Sequence, residues 1–282
     1  MPLKEGVNLI EGDLIAIGGL TIHRKPIAFI HEIIRSKIKG LNVLTFGGGP
    51  EIDLLVAADC INRVEAAYVG FEILGFAPNF RKAVENKKIE FKECTEYSIM
   101  AGLLATTFGA SFIPSKTLMG SDIKGKLGLR TIRSPFKDEE LIAYPPIEPD
   151  VAIIHIQRSD MYGNAHLEGV TAIDDQLIKA SKKVILTVEE IILPEKIMEN
   201  PSKTRISSSL VDAVIKVPYG AHPTSCFPYY AYDLWHINEI IEYSRSGKIE
   251  EYLKKYVSSL DSFQEYLDKI GKNSLTRVKP KQ

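Results

Sequence analysis

The sequence predicts an α/β fold: an open, mostly parallel sheet covered by helices on both faces, with a helical C-terminal tail. Three observations carry this expectation. Short apolar, β-branched runs recur along the chain, and helical segments separate them; such alternation builds the crossover units of a parallel sheet. The 282 residues are 45% hydrophobic and 25% charged, which is enough apolar side chain for a large core.

Taken in order, strands are expected at Leu14–Ile17, Asn42–Phe46, Val64–Val69, Ile89–Lys92, Val151–Ile156, Lys183–Val188 and Val214–Val217. Between the first two, "PIAFIHEIIRSKI" starts a helix at Pro26 and sets Ile27, Ile30, Ile33 and Ile34 on one face. Behind "GGGP", Ile52, Leu55, Val56 and Ile61 do the same. "TEYSIMAGLLATTFGA" gives a third helix, rich in small residues that allow close packing. From Ser115 to Pro149, Gly, Pro and charged residues loosen the pattern, and a long excursion around one edge of the domain is expected. Ile237 to Leu267 is helical and amphipathic, with Ile240, Ile241, Leu253 and Val257 facing inward. The expectation is one domain over residues 1–273 and a frayed tail over 274–282, with no internal repeat.

Charge excludes several function classes. A net charge of -1 and the lack of a basic arm argue against nucleic acid or an anionic membrane as partner. No apolar run approaches the ~18 residues of a membrane helix, and the N-terminus lacks the pattern of a signal peptide, so a cytoplasmic location is expected. Three scattered cysteines, with no CxxC and no Cys/His cluster, imply neither disulfides nor a metal site.

The stretch "VLTFGGGPEIDLL" invites a nucleotide reading, which fails. Gly47 and Gly49 fit the first two glycines of a dinucleotide fingerprint, but Ile52 occupies the third. "GSDIKGKL" resembles a phosphate loop, yet Leu127 stands where a hydroxyl must meet magnesium. One glycine suffices for a strand-to-helix turn. Three in a row, Gly47, Gly48 and Gly49, favour close approach of a ligand or another chain to bare backbone.

Other constellations fall at strand ends, where open α/β sheets bind ligands. His155 and Gln157 alternate on one strand and share a face. Asp160 and Asn164 follow in a loop, where both are also ordinary turn formers. Glu96 and Ser98 begin the small-residue helix: Ser98 or Thr95 serves as a cap, and Glu96 becomes a base or nucleophile where a cleft desolvates it. "TVEEI" and "YGAHPTSC", the latter containing His222, end two further strands.

Six segments in order, "GGLTIHRKPIAFIHEIIRS", "LTFGGGPEIDLLVAAD", "GLLATTFGASFIPSKTLMGSDI", "HIQRSDMYGNA", "TVEEI" and "YGAHPTS", resemble the α subunit of family I coenzyme A transferases of the glutaconate CoA-transferase kind. The resemblance runs from about Glu11 to Pro228. It implies a partner β subunit of similar fold and an active site at their interface. It also implies CoA exchange between an acyl-CoA and a free carboxylate, through a glutamyl-CoA thioester on the β chain. Coenzyme A then enters only as part of the substrates; no metal and no separate cofactor is implied. The substrate-binding set expected on this chain is Arg24, Lys25, Gly47, Gly48, Gly49, Ser98, Gly120, Ser121, Asp122, His155, Gln157, Asp160, Asn164 and His222.

The sequence is also similar to the α subunit of the hydrolase that opens the last steroid ring in cholesterol breakdown. The matching features are Arg24-Lys25-Pro26 and Glu96 ahead of Gly102-Leu103. That resemblance makes Glu96 the base for water. A ligand-binding regulator of related fold would carry a helix-turn-helix and a basic patch, and neither is visible.

Overall fold

The apolar runs become strands where the sequence places them. The computed structural model describes residues 1–280. In chain order its strands are β1 (Leu14–Ile17), β2 (Leu41–Gly48), β3 (Ile61–Val69), β4 (Glu90–Glu93), β5 (Ile113–Ser115), β6 (Arg130–Arg133), β7 (Glu140–Tyr144), β8 (Val151–Ser159), β9 (Ala165–His166), β10 (Lys183–Ile191), β11 (Thr204–Ile206) and β12 (Ala213–Lys216). All seven expected strands are present, with ends displaced by at most three residues.

Seven strands run parallel in the order β4-β3-β2-β1-β8-β10-β12. One row, Ile17, Ile153, Ile185 and Ala213, crosses four of them. β9 folds back antiparallel onto the last residues of β8, beyond the end of β1, and β11 pairs with it to complete a nine-stranded sheet. Because the seven are parallel, their carboxyl ends share one edge.

Alternation sorts the core into two layers. Ile15, Ile17, Val151 and Ile153 meet the helices Ile27–Arg35, Pro50–Ala57, Leu234–Arg245 and Phe263–Ile270 on one face. Ala16, Ala152, Ile154 and Ile156 meet Glu96–Thr107 and Asp174–Ala180 on the other. Each fully buried Ile, Leu or Val adds on the order of 1.5–3 kcal/mol. The helix Ile27–Arg35 is buried from Ile27 through Ile34 because the C-terminal helices cover its outer side.

Two regions depart from expectation. The excursion contains a separate three-stranded antiparallel sheet, β5-β7-β6. Its strands are three to five residues long, and only Ile142 and Tyr144 are buried, too few positions to display a period. In the tail, Ile240, Ile241, Leu253 and Val257 are buried as expected. The chain beyond Ser274 is not frayed there: the helix Lys272–Arg277 spans it, Arg277 meets Asp233 at 3.1 Å, and buried Val278 accepts from the Ala231 N–H. Residues 281 and 282 of the expected tail lie outside the described residues. Among the described residues no helix is long and apolar enough to cross a membrane.

Candidate functional site

The carboxyl edge is built around the loop that follows β1. Residues 18–25 double over the end of β2, and Thr21 N–H donates to Gly47 O at 2.9 Å. A Cβ added to Gly49 would lie 2.0 Å from Thr21 O, one on Gly47 2.8 Å from Leu20 Cδ1, and one on Gly48 2.9 Å from Ile52 Cγ1. The close approach that the three glycines anticipate is made by this chain's own loop and helix. The Gly49 N–H donates to the Glu51 carboxylate at 3.0 Å and so is not turned toward a ligand.

Arg24 and Lys25, expected in the substrate-binding set, both turn inward. Lys25 Nζ pairs with Glu51 at 2.8 Å with both side chains fully buried, and also donates to Thr45 Oγ1 and Gly19 O at 3.2 and 3.3 Å. Burial raises the Glu51 carboxyl above its ordinary range, against the pull of Lys25. Arg24 pairs with Asp174 at 2.5 Å and donates to the carbonyls of His155 and Val170, again inside the protein. Removing one partner from such a pair costs about 3–5 kcal/mol, because the other charge is stranded.

His155 and Gln157 do share a strand face, and both are buried. His155 bridges Thr187 Oγ1 at 2.9 Å and Glu189 Oε1 at 2.8 Å. Glu189 further accepts from Tyr230 OH at 2.5 Å and from the N–H groups of Tyr219 and Gly220. Gln157 ties together the Glu168 backbone and Phe227 O. Cys226 lies close enough to His155 and Glu189 for the three to resemble a metal cluster. Both imidazole nitrogens and both carboxylate oxygens already have protein partners, and burial pushes the Cys226 thiol well above its usual range. This is a core hydrogen-bond network.

Asp160 takes the turn role: its carboxylate accepts from the N–H groups of Tyr162, Gly163 and Asn164 and from the Asn164 amide. His222 is fully buried between Tyr266 OH at 2.7 Å and Asp233 at 3.3 Å, and burial lowers it to about 4. His222 is closed off inside the protein, whereas Asp160 and Asn164 line a surface cavity with Tyr162, Pro194 and Met198.

What does face outward begins after β4. Thr95 and Ser98 form a reciprocal cap on the helix Glu96–Thr107, so Ser98 is engaged in capping. Glu96 is exposed and has no hydrogen bond or ion pair among the described residues. Tyr97 packs edge-on against Tyr144 at 5.3 Å, Tyr144 OH donates to Thr117 O, and Lys126 reaches Glu93 at 3.2 Å. These contacts lay the loop holding Gly120, Ser121 and Asp122 against the start of that helix. Gly120, at φ +82°, has open space around its Cα, and Asp122 is exposed.

A second constellation escaped sequence reasoning. His23 Nδ1 shares a 2.7 Å hydrogen bond with Ser225 Oγ, its Nε2 stands 3.5 Å from Glu72 Oε1, and Thr21 Oγ1 donates to the same Glu72 oxygen. The signal was present, since His23 adjoins Arg24-Lys25 and Ser225 ends "YGAHPTS". Nothing in the sequence shows that Arg24 and Lys25 turn inward while His23 turns out.

Comparison with known proteins accords with this geometry. The coenzyme A transferase family model matches residues 4–217. An uncharacterized protein of Archaeoglobus fulgidus is 38% identical over 96% of this chain, which spans 62% of that protein's length. The A-subunit of glutaconate CoA-transferase from Acidaminococcus fermentans is 31% identical over 99% of this chain and 94% of its own. A chain of the crystal structure of glutaconate coenzyme A-transferase from that organism superposes with a TM-score of 0.95 at 30% identity, covering 100% of this chain and 95% of that one. The cholesterol ring-cleaving hydrolase IpdA subunit of Rhodococcus jostii is 32% identical over 93% of each chain. This chain belongs to the coenzyme A transferase family.

Proposed function

We propose that this chain is the α subunit of a two-chain CoA-transferase, moving CoA from an acyl-CoA to a free carboxylate through a glutamyl-CoA thioester on a partner β chain. The observation that carries the reading is the likeness to the A-subunit of glutaconate CoA-transferase along nearly the whole of both chains. Exposed apolar side chains on loops beyond the strands' carboxyl ends, Ile73 (97% exposed), Phe76 (64%) and Phe227 (64%), support a covering chain. In this scheme the partner's glutamate attacks the thioester to give an acyl-glutamyl anhydride. The CoA thiolate returns to the glutamyl carbonyl, forming the glutamyl thioester and releasing the first carboxylate. The second carboxylate then attacks that thioester to give a new anhydride and thiolate. The thiolate attacks the new acyl carbon to give the new acyl-CoA and free the glutamate. On this chain Glu96, Gly120, Ser121 and Asp122 border the acyl groups, while Arg24, Lys25, His155, Gln157, Asp160, Asn164 and His222 hold the edge in shape. Ser98 acts through its cap on Glu96's helix, and Gly47, Gly48 and Gly49 let the loop lie flat on β2. Coenzyme A is part of the substrates, no metal or other cofactor is invoked, and the cytoplasm is the proposed location.

The second reading, a ring-opening hydrolase on a cyclic CoA thioester with Glu96 as base, is favoured by the likeness to the IpdA subunit and requires the partner chain to cover the exposed, unpartnered Glu96. One experiment separates them. The chain is purified with whatever chain accompanies it and incubated with a set of acyl-CoAs, with and without acetate or succinate. A new acyl-CoA that forms only with acceptor supports transfer. A cyclic substrate opened without acceptor, its thioester intact, replaces transfer with the hydrolase reading.

A further inference from the structure

His23 is a titratable group at the carboxyl edge that the proposed transfer does not use, and the fold goes to some length to hold it. Nδ1 is fixed at 2.7 Å by Ser225 Oγ, while Nε2 faces Glu72 at 3.5 Å. That second distance is longer than a hydrogen bond, so Glu72 acts on the ring as a charge and leaves Nε2 open. The side chain is 26% exposed, enough for water to reach it.

The backbone around the ring is strained. Thr21, Arg24 and Glu72 take φ of 48°, 52° and 55°, the left-handed region that side chains avoid. Such conformations persist where surrounding contacts over-determine them, and they gather at functional sites. The over-determining contacts here are the two buried ion pairs on the next two residues, Arg24–Asp174 and Lys25–Glu51. A strand-like pairing adds to them: Arg24 N–H donates to Ser225 O at 2.7 Å and Ser225 N–H to Ile22 O at 2.9 Å.

Ser225 Oγ meets the ring at Nδ1, the nitrogen opposite the open Nε2. Ser225 therefore orients the ring, and the reactive atom of the cluster is His23 Nε2.

We propose that His23 is the base that delivers water to a CoA thioester at this edge, giving the assembled enzyme an acyl-CoA hydrolysis that needs no carboxylate acceptor; this rests on the CoA-transferase reading. Nε2 takes a proton from water as the water oxygen bonds to the thioester carbonyl carbon. The tetrahedral adduct expels the thiolate, breaking the C–S bond, and the proton passes from Nε2 to sulfur. The products are the free acid and the CoA thiol. Ser225 receives the Nδ1–H throughout, and Glu72 stabilises the imidazolium between the two proton transfers.

The groups facing the ring are Glu72, Arg24, Ser225 and, edge-on at 6.3 Å, Tyr232. Burial lowers His23 below its usual 6.5; Glu72 raises it and Arg24 lowers it further. The ring is accordingly neutral and proton-accepting at pH 7.

The test uses the complex purified with its accompanying chain, with acetyl-CoA and glutaryl-CoA as probes and no acceptor, following thiol release with a thiol reagent. Transfer to acetate and succinate is measured on the same preparation. His23→Gln is expected to lower thiol release roughly 100-fold or more, and by a larger factor than it lowers transfer. Ser225→Ala is expected to lower kcat with little change in KM. In the unmodified complex, release rises with pH through one ionisation below 6.5, and Glu72→Gln moves that midpoint lower. Unfolding midpoints of the variants guard against misfolding, and the profile of the unmodified complex needs no variant. A transferring complex that releases no thiol without acceptor overturns the proposal, as does undiminished release by His23→Gln or a profile lacking that ionisation. A complex that transfers nothing overturns the reading on which the proposal stands.

Discussion

His23, Arg24 and Lys25 are consecutive, yet the structure uses them in two ways. Arg24 and Lys25 are sealed inside, each closed by a carboxylate from another element, Asp174 and Glu51. His23 and, a few strands away, Glu96 stand at the open rim. The interior behind the edge and the edge itself are thus made of the same residue types. In the interior, charges meet charges and fix geometry. At the rim, a carboxylate and an imidazole are held by rigid backbone and left available. The difference teaches that charge at the ligand-bearing end of a sheet does not by itself mark ligand contact.

The comparison predicts its largest effect where a sealed charge loses its partner. Lys25→Met leaves Glu51 buried and unpaired, and should lower unfolding free energy by about 3–5 kcal/mol in a urea titration. The double variant Lys25→Met with Glu51→Met, which removes both charges, should recover most of that loss. A single variant that unfolds like the parent would break the distinction between interior and rim.

Next comes acid. Burial lowers His222 to about 4, against the pull of Asp233. His31, fully buried with neither ring nitrogen hydrogen-bonded, is lowered well below its usual value, again chiefly by burial. The sign follows from the depressed folded values. The native state holds these rings neutral while the unfolded chain binds protons below pH 6.5, so stability is complete above 6.5 and declines toward pH 4. For His222 the drop from 6.5 to about 4 amounts to about 3 kcal/mol at its full extent. His222→Phe should flatten that part of the pH–stability curve. Both histidines pack against Tyr266, so the C-terminal helices should loosen first, which hydrogen exchange would report.

A smaller effect compares two glycines. At Gly49 a methyl would press on the Thr21 carbonyl, and the cost should be about 1–3 kcal/mol with His23 displaced. At Gly125 nothing lies within 4 Å, and Gly125→Ala should be neutral or stabilise by roughly 0.5 kcal/mol. Equal melting shifts for the two would show that the loop can move off β2.

The sheet and its two covering layers were legible because β-branched runs and helical periodicity repeat over many residues. The small sheet β5-β7-β6 was not, since strands this short and half-exposed carry no period. Of the residues singled out at strand ends, Glu96 follows β4 and is exposed, and Asp122 is exposed as well. Arg24, Lys25, His155, Gln157 and His222 were assigned to ligand contact, and in this chain their side chains are buried against other residues. Their fates depend on Asp174, Glu51, Glu189, Glu168 and Asp233, partners 11 to 150 residues away that no local spacing reveals. His23 and Ser225 were passed over for the same reason, being 202 residues apart in the chain.

Glu96→Gln should produce the smallest change in stability and the most informative change in chemistry. The side chain is exposed and unpartnered at the first helical position, so its amide should shift unfolding by no more than about 0.5 kcal/mol, mostly through the helix dipole. If transfer with a glutamyl thioester on the partner is the reaction, the complex should still exchange CoA, with a modest rise in KM for the carboxylate that Glu96 borders. If Glu96 is the base of a ring-opening hydrolase, the same amide should abolish opening almost wholly, since it cannot take a proton from water. Transfer lost together with unaltered folding would place Glu96 in the exchange itself.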